Sequence, residues 1–115
     1  MTPILYQECI DACLKSMNAC NHSYVASLKE YDLAVLRHSI RLDRECADIC
    51  SFAIQAMTRQ SPFVGSILRL CAEICDACAT ENSNHIHIHC QTCIDACRSC
   101  AEACRSISEA VEVFA

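Results

Sequence analysis

The segment CQTCIDACRSCAEAC, residues 90–104, sets cysteines at 90, 93, 97, 100 and 104, in steps of three and four. A strand cannot put that set on one face, because its side chains repeat every two residues. An α-helix puts all five on a single stripe. At 1.5 Å rise per residue this stripe is roughly 21 Å long. The rhythm recurs at Cys9, Cys13, Ser16, Cys20, Ser23 and Ser27, and again at Cys71, Cys75, Cys78 and Asn82. A sparser version holds Cys46 and Cys50, extended by Ser39 upstream and Met57 downstream. Thiols and a few hydroxyls thus stand where a bundle helix would carry Leu, and four such faces meeting predict a sulfur-lined interior.

Internal echoes support four helices. CIDAC occurs at 9–13 and 93–97, while CADIC at 46–50 resembles CAEIC at 71–75. The outer segments match each other and so do the inner ones, as in an all-α, antiparallel up-down four-helix bundle. One Gly and two Pro leave little turn chemistry for a sheet. Pro3 behind Thr2 and Pro62 behind Ser61 fit helix starts, with Pro at the first turn behind an N-cap. Glu81-Asn82-Ser83-Asn84 reads as the connection before the last helix. The break between the first two helices is weakly marked and is placed between Ser27 and Asp32. The expected spans are 3–27, 31–59, 62–82 and 86–110, within a single domain covering 1–115.

Thirteen cysteines must be oxidised, catalytic, packed as core, or holding a metal. Cysteine at this density usually marks a secreted disulfide scaffold. Against it, thirteen is odd, and MTPILYQEC has neither the basic nor the apolar region of an export signal. The expectation is a cytoplasmic protein with reduced thiols. Residues at i and i+4 on a helix have Cβ atoms about 5–6 Å apart, beyond the roughly 3.5–4.5 Å of a disulfide. Pairs such as 9/13, 46/50, 71/75, 93/97 and 100/104 therefore do not close without distorting the helix. Packing alone explains the stripes poorly, because replacing core Leu by smaller residues costs about 2–5 kcal/mol each. A soft cation can bridge neighbouring thiolates and fill that space.

Zinc typically takes four ligands from knuckles or loops, and iron–sulfur clusters also draw on loop cysteines. A continuous stripe offers two-sulfur sites in series rather than discrete four-ligand sets, which suits Cu(I). The reading is storage or sequestration of several Cu(I) ions per chain. The alternative is a thiol redox sensor, or a helical protein binding zinc or an iron–sulfur cluster. A net charge of −5 with dispersed basic residues argues against a nucleic-acid partner, and no apolar run is long enough to span a membrane. No nucleophile–base pair, phosphate loop or paired-carboxylate site stands out, so no enzyme is expected.

The repeated CIDAC, RLDRECADIC at 41–50, SPF at 61–63 and HIHIHC before the last helix resemble the bacterial copper storage proteins, cytosolic branch, over residues 5–106. The resemblance implies a four-helix bundle, often a tetramer, storing Cu(I) on core cysteines. By matching positions the ligands would be Cys9, Cys13, Cys20, Cys46, Cys50, Cys71, Cys75, Cys78, Cys90, Cys93, Cys97, Cys100 and Cys104. Ser23, Ser27, Ser39 and Asn82 depart from it, lying where relatives often carry Cys. Ser16 likewise occupies the place that Cys100 holds in the internal repeat. His85, His87 and His89 alternate with Ile, which suits an extended loop and could form a copper uptake site beside Cys90. His22 and His38 read as surface residues, Met17 and Met57 as core filling.

Overall fold

The computed structural model describes residues 3–114, with side chains through residue 111. Four helices follow in order: α1 (Ile4–Ser27), α2 (Arg37–Thr58), α3 (Val64–Asn82) and α4 (Ile88–Phe114). Each packs its backbone on its two neighbours in the cycle α1–α2–α3–α4, and the diagonal helices meet only through side chains on the axis, as in Cys46–Cys97 (3.7 Å) and Ser16–Cys75 (4.0 Å). The bundle is antiparallel, since Cys9 and Cys13 of α1 meet Cys104 of α4 while Cys20 meets Cys93. Likewise Cys46 meets Cys75 and Cys50 meets Cys71, so α2 and α3 run in opposite directions. The molecule measures 48 × 22 × 17 Å.

The largest departure from the expected spans is at α2, which begins at Arg37 rather than near residue 31. Residues 28–36 form successive turns, held by Glu30 N–H on Ser27 O (3.2 Å) and Val35 N–H on Asp32 O (2.9 Å). No Gly or Pro marks this connection. It is anchored by Leu36, which is fully buried. At the other end, α2 stops on Gln60, whose φ of 53° is left-handed. Ser61 N–H reaches back to Ala56 O (2.9 Å) and Gln60 N–H to Met57 O (3.2 Å), a Schellman closure usually built on Gly. Ser61 does take a capping bond, from Phe63 N–H at 3.1 Å, but α3 proper starts at Val64, two residues after Pro62. Pro3 is itself the residue flanking α1, and Thr2 lies outside the described residues. The final helix starts at Ile88 rather than 86 and continues past 110.

All thirteen cysteines are buried, none more than 1% exposed. Met57, Val64 and Leu68 are fully buried in the core, while Ile10, Ile49, Ile54, Ile67, Ile74 and Ile107 are partly buried and pack against it from the seams between helices. Ile94 is buried as well, whereas Leu14 is 45% exposed. Seam burial thus supplies the hydrophobic term that the small thiols on the axis forgo.

Candidate metal centre

The helical stripes converge on the axis as a ladder of sulfurs. Cys13 lies 3.6 Å from Cys100 and 3.8 Å from Cys104, and Cys50 lies 3.9 Å from both Cys71 and Cys75. Further along, Cys46 is 3.5 Å from Cys75, and Cys20 is 3.5 Å from Cys93 and Cys97. None of the thirteen is in a disulfide. At metal–sulfur bonds of about 2.3 Å, two sulfurs on one ion sit roughly 3.8–4.6 Å apart, so the ladder needs little movement to take ions.

One sequence expectation is corrected here. A single stripe suggests two-sulfur sites only, yet the four stripes assemble discrete four-thiol sets. Cys13, Cys71, Cys100 and Cys104 form one, Cys50, Cys71, Cys75 and Cys100 another, and Cys20, Cys46, Cys78 and Cys97 a third, with ligand atoms inside 4.8 Å in each. The first two share Cys71 and Cys100, so the sets are also continuous. Such sets form between helices and have no signature along one helix. Ser16 sits against Cys46 (3.7 Å), Cys75 (4.0 Å) and Cys97 (3.6 Å), a hydroxyl where a further sulfur would complete the packing.

Toward the end formed by the α1–α2 and α3–α4 connections the core turns polar. Ser23, Ser27, Ser39, Asp43 and Asn82 are all fully buried there. Asp43 Oδ1 accepts from Asn82 Nδ2 (2.9 Å) and from the thiols of Cys78 (3.4 Å) and Cys93 (3.5 Å). With Cys20, Cys78 and Cys93 it makes a mixed sulfur–oxygen set. Asp43 belongs to no cysteine motif, although the α2 rhythm 39, 43, 46, 50 places it on the stripe. Four atoms here have no hydrogen-bond partner among the described residues: Ser27 Oγ, Ser39 Oγ, Asp43 Oδ2 and Asn82 Oδ1. A buried orphan of this kind costs about 1–3 kcal/mol.

The three histidines divide. His87 closes the loop and His89 opens α4 beside it, their rings parallel with centroids 5.2 Å apart. His89 Nδ1 lies 3.6 Å from Cys90 Sγ and 3.3 Å from Ser23 Oγ, joining the mouth to the thiols. His85 is not among these contacts, and its Nε2 is buried without a partner. The alternation is real but inverted for a solvated loop: Ile86 and Ile88 are 96% and 84% exposed while the histidines turn inward. His22 and His38 are exposed as expected, Met57 is fully buried, and Met17 packs against the core.

Proton affinities follow the packing. The Cys50 and Cys97 thiols are held down by neighbouring S–H donors, led by Cys100 for the first and Cys20 for the second. Cys71 is raised, chiefly by its hydrogen bond with Cys100, and Cys20 chiefly by that with Cys46. At the mouth, burial first and the Asp43 charge second push Cys90 up to about 11. Burial also raises Asp43 against the lowering effect of its hydrogen bonds. A thiol ladder of this kind gives up protons as metal replaces them.

Residues 4–109 match the sequence profile of the family described as copper storage protein. The chain is 52% identical over 90 residues to the uncharacterized cysteine-rich protein YhjQ of Bacillus subtilis, covering 78% of this chain and 83% of that one. It superposes on Cu(I)-bound copper storage protein BsCsp3 with a TM-score of 0.87 at 51% identity, covering 90% of this chain and 98% of that one. It also superposes on a cytosolic copper storage protein of Streptomyces lividans carrying five coppers, with a TM-score of 0.88 at 34% identity, over 91% and 92% of the two chains.

Proposed function

We propose that this chain, which belongs to the copper storage protein family, stores several Cu(I) ions on the thiolates of its bundle core. The observation that carries this reading is the presence of three four-thiol sets in one core, two of which share Cys71 and Cys100. Shared sulfurs bridge neighbouring ions, and thiolate selects soft Cu(I) over harder cations. The role is storage rather than catalysis.

All thirteen cysteines act as ligands in this reading. It is supported by the burial of all thirteen and by sulfur–sulfur separations of 3.5–4.0 Å among the twelve other than Cys90, whose Sγ lies 3.6 Å from His89 Nδ1. A two-coordinate ion makes two sulfur contacts and a bridging thiolate makes two metal contacts, so capacity reaches roughly one Cu(I) per thiol. Copper enters and leaves at the histidine end, with His89 closest to the thiols through Cys90. A neutral imidazole takes an ion from a donor without releasing a proton, and transfer inward to thiolate is downhill. His87 stands beside it, and His85 joins them if the loop moves when an ion arrives. The protein works in the cytoplasm, as the Streptomyces lividans relative is described, and as a homotetramer. No helix among the described residues is long and apolar enough to cross a membrane.

Anaerobic titration with Cu(I) against a competing chelator tests the reading. Uptake of about one ion per thiol is expected. Saturation at one or two ions per chain would remove it.

A further inference from the structure

At the mouth of the bundle stands a second donor cluster of a different chemical kind. Glu30, from the turns after α1, His87, from the end of the α3–α4 loop, and His89, from the first turn of α4, each offer one donor atom, all within 4.8 Å of one another. Glu30 Oε1 is 3.3 Å from His89 Nε2, and its Oε2 is 3.7 Å from His87 Nδ1. Around a tetrahedral ion with bonds of about 2.0–2.2 Å, donor atoms stand roughly 3.3–3.6 Å apart. The two Glu30–imidazole distances are already near that spacing.

The other nitrogen of each ring has a partner. His87 Nε2 is 3.2 Å from Asp32 Oδ2, and His89 Nδ1 is 3.3 Å from Ser23 Oγ. Metal-bound imidazoles commonly donate their second ring N–H to a carboxylate or another acceptor, which fixes the tautomer and the ring orientation. If His87 donates to Asp32 and His89 to Ser23, the lone pairs of His87 Nδ1 and His89 Nε2 both face the Glu30 carboxylate. Three acceptors facing one another repel unless a cation lies between them. The side chains are 10% (His89), 23% (His87) and 31% (Glu30) exposed, so the cluster is walled in yet open to solvent on one side.

We propose that Glu30, His87 and His89 bind a divalent cation of the Zn²⁺ class, with Asp32 and Ser23 orienting the imidazoles and a fourth position left open to solvent. Imidazole and carboxylate suit divalent ions, while Cu(I) is drawn to the thiolates. The two sites therefore sort ions by softness. An ion here holds both imidazoles that the uptake path uses. That consequence rests on the uptake reading; the site itself does not.

Cobalt(II) serves as the probe, added anaerobically to the full chain after saturation with Cu(I), when the core thiols are occupied. One Co²⁺ per chain is expected, with the visible bands of a nitrogen–oxygen site and no sulfur-to-cobalt charge-transfer band. Zn²⁺ is expected to displace it. Glu30→Gln combined with Asp32→Asn keeps both imidazoles and is expected to weaken Co²⁺ by roughly tenfold or more, with Cu(I) capacity as in the parent. Absence of Co²⁺ binding, a thiolate charge-transfer band, or affinity unchanged by the double substitution would each overturn the site. None of these outcomes bears on Cu(I) storage, which is measured with no divalent ion present.

Discussion

The two halves of the core are built on one helical rhythm and filled with different chemistry. In the half away from the connections at the mouth, Cys9, Cys13, Cys50, Cys71, Cys75, Cys100 and Cys104 crowd together, and Met57, Leu68 and Val64 are buried in the same core. In the half toward the mouth, Cys20, Cys46, Cys78, Cys90, Cys93 and Cys97 are interrupted by Ser16, Ser23, Ser27, Ser39, Asp43 and Asn82. Sulfur pairs in both halves approach to about the same separation, so the difference lies in donor softness and hydrogen bonding. The far half is a closed reservoir of soft donors. The mouth half grades from thiol through carboxylate and hydroxyl to imidazole.

The sharpest way to break this comparison is to remove one sulfur from each half. Cys100→Ser strikes two four-thiol sets at once, whereas Cys90→Ser strikes none of them. Cys100→Ser is expected to lose about two Cu(I) or more and Cys90→Ser about one or fewer, from the bridging arithmetic. Equal losses in chelator-competition titrations would mean that the halves are equivalent.

A second test addresses rate. Replacing His85, His87 and His89 together by Ala is expected to slow Cu(I) loading and chelator removal by about tenfold or more, if these groups act like other metal-orienting shells. Capacity should be retained. Stopped-flow uptake indistinguishable from the parent would place the way in elsewhere, and a loss of whole ions would make the histidines storage ligands.

Ser16→Cys moves the boundary between the halves. The hydroxyl is already within 4.0 Å of three sulfurs, so the substitution is expected to add about one Cu(I) per chain. An unchanged titration end point would show that the gap at Ser16 serves packing rather than capacity.

The smallest effect concerns the buried charge. Burial raises the Asp43 carboxyl in the folded protein, so its penalty is absent at low pH and grows as pH rises through the folded-state value. Asp43→Asn is expected to stabilise the metal-free protein at neutral pH by about 1–2 kcal/mol. The gain should shrink as the pH falls into the carboxylate range. Thermal unfolding of both proteins across that range checks the sign, and a gain that persists in acid would assign the effect to packing.

Much of this was readable before any coordinates. The alternating steps of three and four required helices, the CIDAC and CADIC/CAEIC echoes required four of them, and their burial required that the stripes meet. Periodicity is a local property, so it survives translation from chain to helix. Asp43 was equally readable, since it falls on the same rhythm, and only its charge drew attention away from the core. The α2 start was not readable, because residues 28–36 contain no Gly or Pro and their turns are held by backbone bonds and one buried leucine.

By itself, then, the sequence determined the helical faces, the sulfur-rich axis and the soft-metal chemistry, because each follows from residue type and spacing along one element. Only the tertiary structure decided which sulfurs share an ion, that Ser16 interrupts a set, and that Glu30 stands against two histidines more than fifty residues away. These are distances between elements. They depend on how four helices slide and turn against one another, a register that the seam packing of Ile10, Ile49, Ile74 and their neighbours sets between helices and not along any one of them.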